Sequence, residues 1–363
     1  MGWLKVNPPI LFNIDCDTQI ISKSIKVDKV TKPIESTPLA RIHPTLRHYC
    51  PTATLLNDEN SIIKNSNLEN FNVENSNVEN LIIEDKPASL AVEAAVAIVI
   101  NGIHYAVLMA SPHQLEYLAI GFLYSEGLIE HSFELLDWEV MQLSDEAKLN
   151  AFTQDNAINS KNDNDDHSEL NSFEHLLDYD TYVIELTLSQ RCHQRIQAQK
   201  RMLAGRTGCG MCGITGITQA LPDLSFYLQH NQKNIDISQP SLDELLAIRA
   251  QIDATQHTHK LTGAVHAAAT MQGNTLHLFE DVGRHNALDK LIGWQLRHKA
   301  EVHCVVMTSR LSIELVQKSI RMRLPWLVGM SAPTSTAVRV AERYGLGLGG
   351  FLRDNRVTFY TEY

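Results

Sequence analysis

The sequence predicts a layered α/β/α domain with a smaller N-terminal α+β subdomain and a disordered N-terminal extension. Three features predict it. From residue 241 onward, short strand-like apolar runs alternate with stretches of helical period, the pattern of a sheet covered by helices. Before that lies a hairpin followed by one amphipathic helix. Residues 1–85 carry no sustained apolar period and include three copies of a five-residue Asn/Glu unit between Asn67 and Leu81.

Order is expected to begin near Pro87. Leu90–Ile100 reads as a strand, Asn101-Gly102 as a type I′ turn and Ile103–Met109 as the return strand. Ser111-Pro112 should cap a helix carrying Leu115, Leu118, Ala119, Phe122 and Leu123, ending at Ser125-Glu126-Gly127. Residues 143–180 form a polar insert. Tyr182–Leu188 alternates like a strand, and Gln190–Leu203 is a basic helix candidate. Helix 241–254, a helix or strand at 262–270, strand 275–279, helix 285–297, strand 302–308, helix 312–321, strand 325–330, helix 334–344 and strand 356–361 complete the series. The expected organisation is an extension at 1–85 and one functional domain at 86–363 with its insert at 143–180.

An apolar content of 44% is enough for a substantial core. The net charge of −11 is unevenly spread. Residues 57–85 carry −6 and residues 143–180 carry −8, which leaves the remaining chain at +3 and compatible with a phosphate-bearing ligand. The N-terminus has no basic stretch followed by an apolar one, so no signal peptide is expected, and Val6 stands where a myristoylation signal wants Ser or Thr. No apolar run is long enough to span a membrane. Six scattered cysteines argue against a secreted disulfide scaffold and for a reducing cytoplasm.

The densest chemical signal is Gly205-Arg206-Thr207-Gly208-Cys209-Gly210-Met211-Cys212-Gly213. Four glycines let the backbone curl and present its N–H groups. With Arg206 they would favour a thiolate, the form that attacks sulfur. A structural metal is an even competitor on pattern alone, although no second Cys-x-x-Cys completes a four-ligand site. A zinc deaminase wants Pro before the first cysteine, where this chain has Gly208. A thioredoxin-like motif would have few glycines around it.

Further candidates lie at strand–helix junctions, where α/β folds bind ligands. Phe279–Gly293 gathers Glu280, Asp281, Arg284, His285 and Asn286; taken singly these could be caps or surface charges, as could Asp289 and Lys290. Thr308–Lys318 offers Ser312 as N-cap and Glu314 as first-turn acid, and Ser331–Val338 is a third junction. Phe351-Leu352-Arg353-Asp354-Asn355-Arg356 places two arginines on a loop after glycines. His257 and His259 should be exposed, His266 a satisfied core histidine unless it serves the cysteine loop, and Cys304 a buried strand residue.

Five of these segments, in order, resemble the FdhD family: Arg206–Gly213, Thr262–Ala268, Glu280–Lys290, Ser309–Lys318 and Ser331–Thr334. The resemblance runs from about Val92 to Thr361 and omits residues 1–85. It implies a cytidine-deaminase-like C-terminal part without the deaminase zinc set. It implies a homodimeric sulfurtransferase, a persulfide carrier with no catalytic metal of its own. Sulfur would come from an IscS-type cysteine desulfurase and pass to the molybdenum cofactor, bis-molybdopterin guanine dinucleotide, bound as substrate before its insertion into formate dehydrogenase. Cys209 would carry the persulfide and Cys212 assist, while Phe351, Leu352, Arg353, Asp354, Asn355 and Arg356 would bind the guanine nucleotide. No nucleic-acid or membrane partner is implied. A cofactor chaperone with structural cysteines is the runner-up, and a deaminase-like zinc hydrolase is a third possibility.

Overall fold

The computed structural model describes residues 39–49, 82–85, 87–144, 148, 178–192, 195–196, 217–228 and 238–361. The Cys209–Cys212 loop, the Asn/Glu repeat and most of the 143–180 insert lie outside them. In the first half the strands are β1 (Ala40–His43), β2 (Leu46–Tyr49), β3 (Ile82–Asp85), β4 (Ala88–Ala91), β5 (Ala94–Ile100) and β6 (Ile103–Ala110). Helix α1 (Leu115–Ser125), strand β7 (Leu135–Gln142) and strand β8 (Thr181–Leu188) follow. A four-stranded sheet runs β6-β5-β8-β7, with β5 and β8 parallel. Asn101 and Gly102, at φ 50° and 73°, make the expected I′ turn.

Alternation decides what this sheet buries. Val96, Ile98 and Ile100 on β5 and Tyr182, Ile184 and Leu186 on β8 share one face, and Leu115, Leu118, Phe122 and Leu123 of α1 cover it. The helix starts later than its sequence suggests. Gln114, left-handed at φ 53°, precedes it, and Ser111 is not its cap. Instead the Ser111 N–H donates to Asp281 (3.1 Å), and Ser111 Oγ accepts from the Val282 N–H (3.2 Å). Inside the segment assigned to the extension, β1 pairs antiparallel with β4, and Arg41 meets Asp180 at 2.7 Å.

The second half contains α2 (Ile217–Ala220), α3 (Ser225–Leu228), α4 (Leu242–Thr255), α5 (His257–Thr262), β9 (His266–Gln272) and β10 (Thr275–Asp281). Then come α6 (Arg284–His298), β11 (Cys304–Met307), α7 (Ile313–Arg321), β12 (Trp326–Gly329), α8 (Ser335–Tyr344), β13 (Gly347–Arg353) and β14 (Arg356–Phe359). The sheet order is β10-β9-β11-β12-β13-β14, with β11, β12 and β13 parallel. One face packs on α6, α7 and α8 through residues such as Val305, Met307, Leu327 and Leu348. The other packs on α4 through Cys304, Val306, Trp326 and Val328. Helices therefore cover both faces. Burial pushes the Cys304 thiol up to about 12, which makes it inert at neutral pH.

The expected C-terminal loop is corrected as well. The glycine-rich stretch read as a loop is strand β13, and Arg353 and Arg356 flank the two-residue turn of a β-hairpin. Glycine here serves packing. A Cβ on Gly347 would fall 2.3 Å from the Trp326 indole, and one on Gly350 would fall 2.8 Å from Pro333.

The two halves meet chiefly where α1 crosses α6. Gly121 lies against the Asp289 carbonyl and Gly293 against the Tyr117 carbonyl, so each helix supplies the gap the other needs. Two buried charge networks flank this crossing. Lys290 pairs with Asp281 at 2.6 Å, both fully buried, and donates to the Ser111 and Glu280 carbonyls. Lys318 pairs with Asp289 at 2.9 Å, and Ser125 Oγ donates to the same carboxylate at 2.7 Å. Asp289 and Lys290 are thus struts between the halves, not surface charges.

Candidate functional site

Strands β10, β11, β12 and β13 end at one edge of the sheet, where β9 begins. Helices α6, α7 and α8 start there, so three sets of unpaired helical N–H groups face the same side. Thr334 caps α8 by accepting from the Ala337 N–H at 3.3 Å. The other two starts differ. Gly283 precedes α6 and Ser312 precedes α7 without a side-chain cap.

The polar residues at the β10–α6 junction divide by role. Asp281 accepts from the Gly283 N–H (2.8 Å) and from Asn286 Nδ2 (3.0 Å), and Asn286 also donates to the Met109 carbonyl (2.8 Å). These groups are consumed by the joint with the N-terminal half. Arg284 and His285 are not: Arg284 Nε and His285 Nε2 are buried without a hydrogen-bond partner among the described residues. From the next junction Glu314 Oε2 and Ser312 Oγ are in the same condition. Buried polar atoms seldom stay unpaired, so four in one place mark a position where something else makes the bonds.

The electrostatics are set by burial and by neighbours. Burial first, then the positive charges of Arg284 and Lys318, push His285 down to about 3 against the opposing pull of Glu314. It is a neutral imidazole at pH 7. Burial also lowers His266, helped by Arg284 and His259. Glu314 is pushed up by burial, but the nearby Ser312 hydroxyl, its own N–H and the charge of Arg284 outweigh this and keep it ionised. The site therefore offers a neutral imidazole, a guanidinium and a carboxylate with free valences, able to hold a polar group and move a proton to or from it.

His259 and His266 take different positions. His259 is exposed, yet Nδ1 lies 2.9 Å from the Val265 carbonyl, which makes Nδ1 the donor. His266, half-buried at the start of β9, stands beside the cluster. At the far end of the same edge lies the β13–β14 hairpin. Leu352 is buried, Arg353, Asp354, Asn355 and Arg356 are exposed, and Phe351 holds a left-handed φ of 52°. Asp354 is tied to Arg249 of α4 at 2.8 Å. The Phe351 N–H donates to the Ser331 carbonyl (3.2 Å), linking the hairpin to the third junction. The proximity of His285 to Glu314, from two separate motifs, has no signature in sequence spacing.

A pH dependence follows. The unfolded chain takes up a proton at His285 near pH 6.5, which the folded protein refuses until about pH 3. Stability should fall as pH drops through that window, approaching about 1.4 kcal/mol per pH unit for one proton. Urea melts between pH 7.5 and 5 should show a shallower slope for His285→Gln than for the unaltered protein. Equal slopes would place the acid sensitivity elsewhere.

Residues 91–363 match the FdhD/NarQ family. A sulfur carrier protein FdhD of Shewanella oneidensis is 35% identical over 275 residues, 75% of this chain and 84% of that protein. One of Acinetobacter baylyi is 34% identical over 274 residues, 74% of this chain and 85% of that protein. In fold the chain is similar to a protein of Desulfotalea psychrophila described as a formate dehydrogenase accessory protein. The TM-score is 0.52 at 18% identity, covering 90% of this chain and 98% of that one. No helix among the described residues is long and apolar enough to cross a membrane.

Proposed function

The chain belongs to the FdhD/NarQ family, and from that premise we propose that it is a sulfur carrier serving formate dehydrogenase. Cys209 receives sulfur from an IscS-type cysteine desulfurase. Its thiolate attacks the outer sulfur of the donor's persulfide, the bond to the donor breaks, and the donor's thiolate leaves. Cys212 assists. The persulfide sulfur is then delivered to bis-molybdopterin guanine dinucleotide, the substrate, before that cofactor enters formate dehydrogenase. The carrier acts as a homodimer in the cytoplasm, with residues 86–363 as its working domain and 1–85 as an appended extension. The C-terminal half takes the cytidine-deaminase-like layering, a reading supported by helices on both faces of its sheet.

The observation that carries this reading is the carboxyl edge, where Arg284, His285 and Glu314 present unpartnered polar atoms. The hairpin Phe351–Arg356 shares that edge, so one ligand could touch both. Arg353 and Arg356, exposed on either side of the turn, suit the diphosphate of the guanine nucleotide. In sequence, four residues separate Cys212 from α2, and α2 is held to α7 by Gln317 Nε2 donating to the Ala220 carbonyl at 2.8 Å.

The test is mass spectrometry after incubation with a cysteine desulfurase and cysteine. The peptide holding Cys209 and Cys212 should gain ~32 Da, one sulfur atom on a reactive thiol. Cys209→Ser should abolish both that gain and formate dehydrogenase activation, and Cys212→Ser should weaken activation. The double variant Arg353→Ala/Arg356→Ala should keep the persulfide but bind GDP about ten- to a hundredfold more weakly for each charged hydrogen bond lost. Full activation by Cys209→Ser would overturn the assignment.

A further inference from the structure

A cleft of about 530 Å³ lies at the opposite end of the molecule's helices from the carboxyl edge. Helix α6 links the two places: Arg284 opens it at the edge, and Lys299, just past His298, lines the cleft. Fifteen steps of 1.5 Å put about 22 Å between them. The volume is that of a small-molecule site, which typically spans roughly 300–1,000 Å³. Both halves of the protein build the cleft: Tyr124 and Phe133 come from the first, Phe226, Tyr227, Lys299 and Arg323 from the second.

The lining has two properties. It is rich in aromatic faces that the fold leaves open. Phe133 is 73% exposed, stacked on His131 with centroids 5.0 Å apart, and Phe226 is 55% exposed, edge-on to Tyr227 at 5.4 Å. It is also positive. The one acid in the lining, Glu130, is engaged by Arg195 at 3.2 Å, whereas Lys299 and Arg323 meet no carboxylate in an ion pair among the described residues. Arg323 Nε is buried without a hydrogen-bond partner.

Both cations stand in left-handed backbone, Lys299 at φ 50° and Arg323 at φ 56°, immediately beyond the ends of α6 and α7. Glycine is the usual residue there, and a long side chain costs about 1–2 kcal/mol by comparison. Compensation of the helix dipoles would account for positive charge at these ends. It does not require the unpartnered Nε or the open rings.

We propose that this cleft is a second ligand site, separate from the carboxyl edge, for a planar aromatic anion of mononucleotide size. Phe133, Phe226 and Tyr227 supply stacking faces, and Arg323 and Lys299 receive the anionic group. Bound there, the ligand touches both halves of the protein.

The test uses the full chain and isothermal titration calorimetry with adenosine 5′-monophosphate as probe. One saturable site is expected, with ribose 5-phosphate (no ring) and adenosine (no charge) each at least tenfold weaker. Arg323→Gln and Phe226→Ala should each weaken the nucleotide at least tenfold with unchanged urea midpoints. Arg353→Ala/Arg356→Ala should leave its affinity unchanged. Three results would overturn the proposal: no saturable binding, equal binding of either control compound, or loss of binding in the hairpin double variant but not in Arg323→Gln.

Discussion

Alanine at Gly121 or Gly293 should unfold the protein or bring it close to unfolding. A Cβ on Gly121 would lie 1.8 Å from the Asp289 carbonyl oxygen, and one on Gly293 would lie 2.0 Å from that of Tyr117. Both obstacles are backbone within helices, so no rotamer change relieves them. The helices must move apart by more than an ångström, which loosens the contacts of Leu118, Phe122, Leu288 and Ile292 nearby. Overpacking a core usually costs about 1–3 kcal/mol and sometimes more. Here a backbone clash is added, so at least about 3 kcal/mol is expected, a large share of the roughly 5–15 kcal/mol that stabilises a typical domain. Gly273→Ala is the control. Unlike them it holds left-handed backbone, at φ 59°, but nothing lies within 4 Å of the added Cβ, and it should cost only about 1 kcal/mol. Urea denaturation of the three variants checks this. A Gly293→Ala protein as stable as the unaltered one would show that the crossing is looser than described.

Asp281→Ala should be comparably severe for an electrostatic reason. Lys290 is fully buried, and burial already pushes its ammonium down; the Asp281 carboxylate is the first group opposing that shift. Removing one partner of a buried pair leaves an uncompensated charge, at a cost of about 3–5 kcal/mol. The same carboxylate also accepts from the Ser111 and Gly283 N–H groups and from Asn286, so several donors lose their acceptor together. The remaining stability of Asp281→Ala should rise with pH, because the folded variant holds the Lys290 proton less tightly than the unfolded chain does. The double variant Asp281→Leu/Lys290→Met should recover part of the loss, since a buried ion pair can often be replaced by apolar side chains of similar volume. Thermal melts at pH 7 and 9 distinguish these outcomes. A double variant no better than the single one would assign the damage to the lost N–H acceptors instead.

Periodicity alone determined much of this protein. The hairpin through Asn101-Gly102, the buried faces of β5 and β8, and the helices from 242, 284, 313 and 335 all follow from apolar spacing and turn chemistry, which act between near neighbours in the chain. The polar residues of interest were also legible as clusters at strand–helix junctions. Tertiary structure decided their roles. Within Glu280–Lys290, Asp281, Asn286, Asp289 and Lys290 turn inward as struts, while Arg284 and His285 keep free valences and find Glu314 from another motif. Spacing cannot separate these fates, because each depends on whether Ser111, Ser125 or Met109 arrives from the other half of the chain to take the hydrogen bond. Glycine misled for the same reason. Gly347 and Gly350 suggested a loop, yet each is small because an indole or a proline from a distant segment occupies the space its side chain would need, as the facing carbonyls do at Gly121 and Gly293.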